Sequence, residues 1–300
     1  MTTPADALPE FRPRSVVRRT LTWYGAHARD LPWRRPRTSP WAVMVSEFML
    51  QQTPVERVRG PWQSWLDRWP TPDALAGTPP GEAVRAWGRL DYPRRALRLH
   101  QAAVIITERF DGQVPDERDV LLSLPGVGPY TAAAIASFAF GRREIVLDTN
   151  VRRVLSRVVF GLAYPPPTLT ANEIAAAERL APRDPAVAAR WAVASMELGA
   201  EVCVARAPRC AACPVRDLCA WRAAGSPAWT GPPRRGQAYA GTDRQCRGAL
   251  LAVLRSADGP VGPAELAAAW PDAIQRERAL ASLIADGLVV TITRRWSLPG

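Results

Sequence analysis

Apolar residues return at helical intervals through the first three quarters of the chain, and before residue 224 none of it alternates as a half-buried strand requires. Between Ser15 and His27 the positions Val16, Val17, Leu21, Tyr24 and Gly25 share one face, with arginines opposite. The run WAVMVSEFMLQQT (41–53) reads as a largely apolar helix opened by Ser39 or Pro40. Further helices are predicted over Pro61–Trp69, Asp73–Ala76, Gly81–Leu90, Arg94–Phe110, Ala171–Ala181 and Pro185–Leu198, while residues 1–13 look frayed. A stretch rich in Gly, Pro and Arg (224–245) reads as a linker. Beyond it the pattern changes: helices at 246–256, 263–269 and 273–286 precede two short strands, Leu288–Ile292 and Arg294–Leu298. That order resembles a winged helix, a module that binds DNA or protein.

The densest signal lies in LLSLPGVGPYTAAAIASFAFGRREIVLDTNVRRVL, residues 121–155. Gly126 and Gly128 suit positive φ and close backbone approach, and Pro129 is placed to open a helix. Helix, hairpin, helix is the expected result. Free N–H groups at such a tip, beside a helix N-terminus, form an anion site. An ordinary αα-corner that needs two glycines would look the same.

Charge narrows the partner. Net charge is +11 with a pI near 10.5, which points to a polyanion. All 39 basic residues are arginine, so no side-chain amine exists to form a Schiff base. The N-terminus lacks an apolar leader core and no run reaches membrane-spanning length, so a cytoplasmic, nucleoid-associated protein without membrane contact is expected. Cys203, Cys210, Cys213 and Cys219 stand as C-x6-C-x2-C-x5-C, close enough to wrap one zinc ion or one [4Fe–4S] cluster. Only one CxxC knuckle is present, and the uneven spacing favours the cluster. Cys246 falls outside it, as a buried thiol.

Two acids stand out. Glu47 has Val43, Met44, Leu50 and Gln51 as helical neighbours, and desolvation there would raise its pKa toward that of a proton donor; a rim glutamate facing solvent is the plainer alternative. Asp148 precedes the basic segment from Val151, where it would cap a helix.

With hairpin, acid and cysteine loop in one order, residues 14–223 resemble the endonuclease III superfamily of helix-hairpin-helix DNA glycosylases, and within it the MutY-type adenine glycosylases. LPWR (31–34), SEFMLQQT (46–53), LPGVGPYTA (124–132), LDTNVRRVL (147–155) and MELGA (196–200) carry the resemblance. It implies an all-α fold: a six-helix barrel module with the helix-hairpin-helix (34–140) and an iron–sulfur module (1–33 and 141–223), followed by the linker and the small α+β winged-helix-like unit (246–300). It implies a [4Fe–4S] cluster on the four cysteines, and a monomer acting on double-stranded DNA that holds adenine mispaired with 8-oxoguanine or guanine. Bifunctional relatives have an attacking lysine where this chain has Tyr130, so lyase chemistry is not expected.

By resemblance, Glu47 is the catalytic acid, Asp148 the carboxylate that stabilises the sugar cation, and Tyr130 and Asn150 orient Asp148 and water. Trp33, Arg34, Leu50 and Glu197 would surround the flipped adenine. Gln51, Gln52 and Thr53 would enter the duplex, Tyr92, Arg94 and Arg95 would contact DNA, and Gly126, Val127 and Gly128 would hold phosphate. A thymine or uracil mismatch glycosylase and a non-catalytic DNA-binding protein are the rival readings.

Two departures matter. The family usually reads L-G-Y where this chain has Leu90-Asp91-Tyr92; the aspartate would have to take left-handed geometry and would face phosphate with a like charge, weakening binding or mispair recognition. Residues 246–300 are also too few for the Nudix-related domain with which many MutY proteins read 8-oxoguanine, so a strong preference for that lesion does not follow from this chain.

Overall fold

The computed structural model describes residues 12–231 and 239–300; most of the segment expected to fray (1–13) and part of the expected linker lie outside the described residues, and Pro13 already belongs to a helix. The helices are α1 (Pro13–His27), α2 (Pro40–Leu50), α3 (Val55–Arg68), α4 (Pro72–Ala76), α5 (Pro80–Trp87), α6 (Arg94–Arg109), α7 (Arg118–Leu122), α8 (Pro129–Phe140), α9 (Thr149–Val158), α10 (Ala171–Leu180), α11 (Pro185–Glu201), α12 (Ala220–Ala223), α13 (Asp243–Ser256), α14 (Pro263–Ala269) and α15 (Ala273–Ala285). An antiparallel pair, β1 (Val290–Ile292) and β2 (Arg295–Ser297), closes the chain. Pro13, Pro40, Pro72, Pro80, Pro129, Pro185 and Pro263 each open a helix, using a fixed φ at a position whose N–H has no intrahelical partner.

Three features differ most from expectation. The helix expected from Pro61 starts at Val55 and runs through that proline; Val58, Trp62 and Trp65 bury one face on both sides of it. The helix expected to reach Thr53 stops at Leu50, because Gln52 turns left-handed at φ 56°. In the 88–92 loop the left-handed residues are Gly88 and Tyr92, not Asp91.

The chain forms two compact units. The first takes residues 12–38, Asp116–Asp119 and 128–231; the second takes Ser39–Pro115, Val120–Val127 and 239–300. The dividing line passes through the hairpin. In the first unit α1, α9, α10 and α11 bury Val16, Val154, Leu155, Val158, Trp191 and Leu198 together, and Cys219 is buried with them. In the second, α2 is buried on every side from Trp41 to Met49, and Trp65 meets Trp69 and Trp87 edge-on at 4.7 and 5.6 Å. The winged-helix-like end belongs to this second unit. A bridge between Val261 and Trp296 adds a third short strand contact, giving the helix–strand–helix–helix–hairpin order. It is fastened to α5: Gly81 N–H donates to the Pro299 carbonyl at 2.7 Å, and Arg255 Nε donates to Val84 O at 3.0 Å. A Cβ on Gly81 would stand 2.3 Å from that carbonyl.

Candidate nucleic-acid site and cysteine loop

In the first unit the Asp148 carboxylate is the N-cap of α9. Val151 N–H donates to it at 2.6 Å and Asn150 Nδ2 at 2.6 Å. Burial nevertheless pushes its pKa above the ordinary value, with those two hydrogen bonds and the Arg153 charge pulling the other way. Asn150 is itself oriented: Arg153 donates to its Oδ1 at 2.8 Å, to Gly199 O at 2.6 Å and to Cys203 O at 2.6 Å. Tyr130, at the second position of α8, packs with Phe138 and Met196 on Ala133, Ala134, Val146 and Ala192.

Also in this unit, Glu197 on α11 is fully buried between two arginines. Arg29 grips both oxygens (Nε at 2.7 Å, an Nη at 2.9 Å) and Arg34 donates at 2.6 Å. Burial alone would raise this carboxyl, but the two guanidinium groups bring it down to about 2. Arg34 and Glu197, predicted as pocket residues, are thus brought together, and Trp33 is buried beside Arg34 in the chain. Arg29 was missed; nothing local distinguished it among so many arginines.

Cys203, Cys210, Cys213 and Cys219 are free thiols lining one small pocket whose wall includes the apolar Val154, Val158, Leu198 and Val202 and the basic Arg157, Arg216 and Arg222. Among the described residues no three His, Cys, Asp or Glu are grouped around a single metal ion. Four thiols around a shared pocket suit a polynuclear cluster, and buried Arg157, 2 % exposed, supplies positive charge against thiolates. Its guanidinium donates to Ala163, Val204 and Ala205 carbonyls at 3.0, 2.8 and 3.1 Å and lies 3.3 Å from Cys203 Sγ. Arg153 and Arg157, four residues apart, therefore pin the start of the loop. Their i, i+4 spacing is the signal the sequence offers for this.

In the second unit Glu47 is 5 % exposed on α2, so the rim alternative is excluded. Of the three residues that follow it, Gln52 is exposed while Thr53 is buried. Arg95 donates to Gln51 O and lies over the Tyr92 ring, 4.4 Å from its centre; it organises the turn rather than standing free. Gly126 is left-handed at φ 82°, and a Cβ there would meet Phe48 and Arg98 at 2.8 Å, so it is required twice over. Gly128 opens α8 from extended backbone with nothing near its missing side chain, so its conformation demands no glycine. Val127 is buried and gives its N–H to Leu124 O at 3.1 Å.

A hairpin feeding a helix, an N-capping aspartate and a four-thiol loop define a helix-hairpin-helix, iron–sulfur class of DNA-repair protein. Residues 45–178 match the HhH-GPD superfamily base excision DNA repair protein profile. Residues 203–219, bounded by the first and last cysteine of the loop, match the iron–sulfur binding domain of endonuclease III, and the cofactor is a [4Fe–4S] cluster. The chain is 54% identical over 282 residues to an adenine DNA glycosylase of Mycobacterium tuberculosis, covering 93% of this chain and 92% of the relative. It belongs to the adenine DNA glycosylase family. A thymine-DNA glycosylase of Aeropyrum pernix is 34% identical over 71% of the chain and 96% of its own length. Among solved structures, a thermostable thymine-DNA glycosylase superposes with TM-score 0.63 at 29% identity, covering 71% of this chain and 97% of its own. A trapped endonuclease III–DNA intermediate, at TM-score 0.60 and 22% identity, covers 71% and 96% and shares the fold.

Proposed function

We propose that this protein is a monofunctional DNA glycosylase of base excision repair that hydrolyses the N-glycosidic bond of adenine mispaired with 8-oxoguanine or guanine. The observation that carries the reading is Glu47, a carboxylic acid buried on a helix that is apolar apart from Ser46, in a chain 53–54% identical to adenine DNA glycosylases. Adenine leaves readily only when protonated. In a flipped, dry pocket Glu47 gives its proton to N7, the C1′–N9 bond breaks with its electron pair passing to the base, and the sugar becomes an oxocarbenium-like cation. Asp148, fixed by Asn150 and the α9 N-terminus, offers negative charge to that cation. Glu47 then takes the proton of the water that adds at C1′. One acid and one stabilising carboxylate divide the work as in glycoside hydrolysis.

In this reading Trp33, Arg34, Leu50 and Glu197 enclose the base and the hairpin holds phosphate. Residues 34–140 serve as the barrel module, 1–33 and 141–223 as the cluster module and 246–300 as the C-terminal domain, in a monomer working at the nucleoid. Tyr130, in a chain without lysine, leaves no side-chain amine for strand cleavage. Among the described residues no helix is long and apolar enough to cross a membrane.

The test is a single-turnover assay on A:8-oxoguanine, A:G, T:G and U:G duplexes. Free adenine should appear from the first two, with strand scission only after alkali. Release of thymine or uracil instead would transfer the reading to the mismatch glycosylases, and scission without alkali would end the monofunctional claim. Glu47→Gln should abolish release while duplex binding persists. Because burial holds Asp148 above the ordinary carboxylate range, the rate should fall on the acid side at a higher pH than a solvent-exposed aspartate would give.

A further inference from the structure

Within the second unit, the 88–94 loop and α13 face each other across a cleft of about 1370 Å³. Six arginines line it, Arg57, Arg89, Arg94, Arg244, Arg247 and Arg255, against two acids, Asp91 and Asp286. Four positive charges are therefore left over. The acids are shared in a regular way. Asp91 takes Arg57 of α3 at 2.8 Å and Arg244 of α13 at 3.1 Å. Asp286, after α15, takes Arg94 of α6 at 3.2 Å and Arg247 of α13 at 2.6 Å. Each carboxylate thus sits between one arginine from the barrel side and one from α13. The expected clash between Asp91 and phosphate does not arise in this form: its charge is matched twice.

The rest of the cleft is equally specific. Tyr92 and Tyr239 are 41 % and 53 % exposed, and the Arg244 guanidinium lies 5.2 and 5.9 Å from their ring centres. The α13 floor is small, with Gly248, Ala249 and Ala252 leaving the space open. One Arg255 Nη is buried and has no hydrogen-bond partner. Phosphodiester oxygens between paired arginines, with sugars and bases against tyrosine, match this inventory. An acidic protein surface would match the charge but would leave the aromatic rings without a purpose.

We propose that this cleft is a second DNA-backbone site, separate from the hairpin, in which phosphates take the places that Asp91 and Asp286 hold in the free protein. The C-terminal unit is then a substrate-gripping lobe, and the two aspartates keep its arginines pre-arranged until DNA arrives. This rests on the reading of DNA as the partner, and its test does not depend on which base is released.

The experiment measures equilibrium binding of the full-length, cluster-loaded protein to a mispaired duplex carrying an uncleavable adenosine analogue, from low to moderate salt. Arg244→Ala/Arg247→Ala should lower the slope of log K against log salt by about two, one for each lost phosphate contact. Arg278→Ala is the control: it removes an exposed arginine of α15 paired with Asp243 outside the cleft, and should leave the slope unchanged. Circular dichroism and cluster absorbance identical to the parent protein establish that the double variant is folded. As a second probe, Tyr239→Ala should weaken binding several-fold with the slope unaltered. If the folded double variant keeps the parent slope, or if Arg278→Ala lowers it as much, the cleft is not a backbone site. If the parent protein binds the duplex but releases no base, the catalytic reading fails while this one is still decided by the slopes.

Discussion

Arginine does opposite jobs in two parts of this molecule. Around α9, Arg153 and Arg157 are 9 % and 2 % exposed and bond mainly to backbone carbonyls, of the cysteine loop and of Gly199 and Ala163. Around α13, Arg57, Arg94 and Arg244 are roughly half exposed and pair with aspartates that water also reaches. The first set is structural: a planar fork with five donors satisfies several carbonyls at once. The second set is exchangeable, because an exposed ion pair is worth little and a phosphate can replace the carboxylate. Burial and the nature of the acceptor separate the two, and residue type does not.

Arg157→Met breaks the first set most severely. It leaves the Ala163 and Val204 carbonyls without their donor, leaves the Ala205 carbonyl to the Tyr164 hydroxyl alone, and removes positive charge beside Cys203. Two stranded acceptors at 1–3 kcal/mol each predict a loss of about 3 kcal/mol. Thermal melting should show it, together with reduced iron content and visible absorbance.

Acid is the next probe. Glu197 has a folded pKa of about 2, below its ordinary 4.5. A depressed carboxyl stabilises the fold fully above the ordinary value and loses that contribution as pH falls from about 4.5 toward 2. The 2.5-unit difference corresponds to something on the order of 3 kcal/mol. Glu197→Gln should flatten the stability profile in that window. An unchanged profile would mean that the Arg29 and Arg34 clamp does not hold in solution.

Gly199→Ala is smaller and more local. A Cβ there would lie 2.7 Å from Asn150 O and 2.8 Å from Asn150 Cβ, so α9 and α11 must part. Overpacking of this kind costs about 1–3 kcal/mol. Because Asn150 orients Asp148, base release should slow more than duplex binding weakens, which a comparison of single-turnover rate with affinity would detect.

These residues also show what the sequence could and could not disclose. The helices, the hairpin, Asp148 as a cap and the cysteine loop were legible because each rests on local chemistry: proline at N1, glycine where φ is positive, an acid before free N–H groups, thiols a few residues apart. The winged-helix-like order was legible for the same reason. What escaped depends on distant packing. Arg29 reaches Glu197 from 168 positions away, and Asp91 acquires Arg244 from 153 away. Read locally, that aspartate was a free charge on a DNA-facing loop in left-handed backbone. In the fold it is doubly paired, and Tyr92 takes the left-handed geometry.

Arg57→Ala gives the smallest expected effect and the sharpest check on the contrast. Arg57 and Asp91 are 46 % and 27 % exposed, and Arg244 stays on the other carboxylate oxygen when Arg57 is removed. Exposed pairs contribute about 0.2–1 kcal/mol, and the remaining partner should keep the loss near the lower end. The melting temperature should therefore shift by no more than a degree or two, while DNA affinity at low salt falls measurably if Arg57 meets phosphate. A loss of stability comparable to that of Arg157→Met would show that the α13 arginines are also structural struts. Asp91 would then be a fastening of the C-terminal unit, and it could not yield its arginines to DNA without loosening that unit.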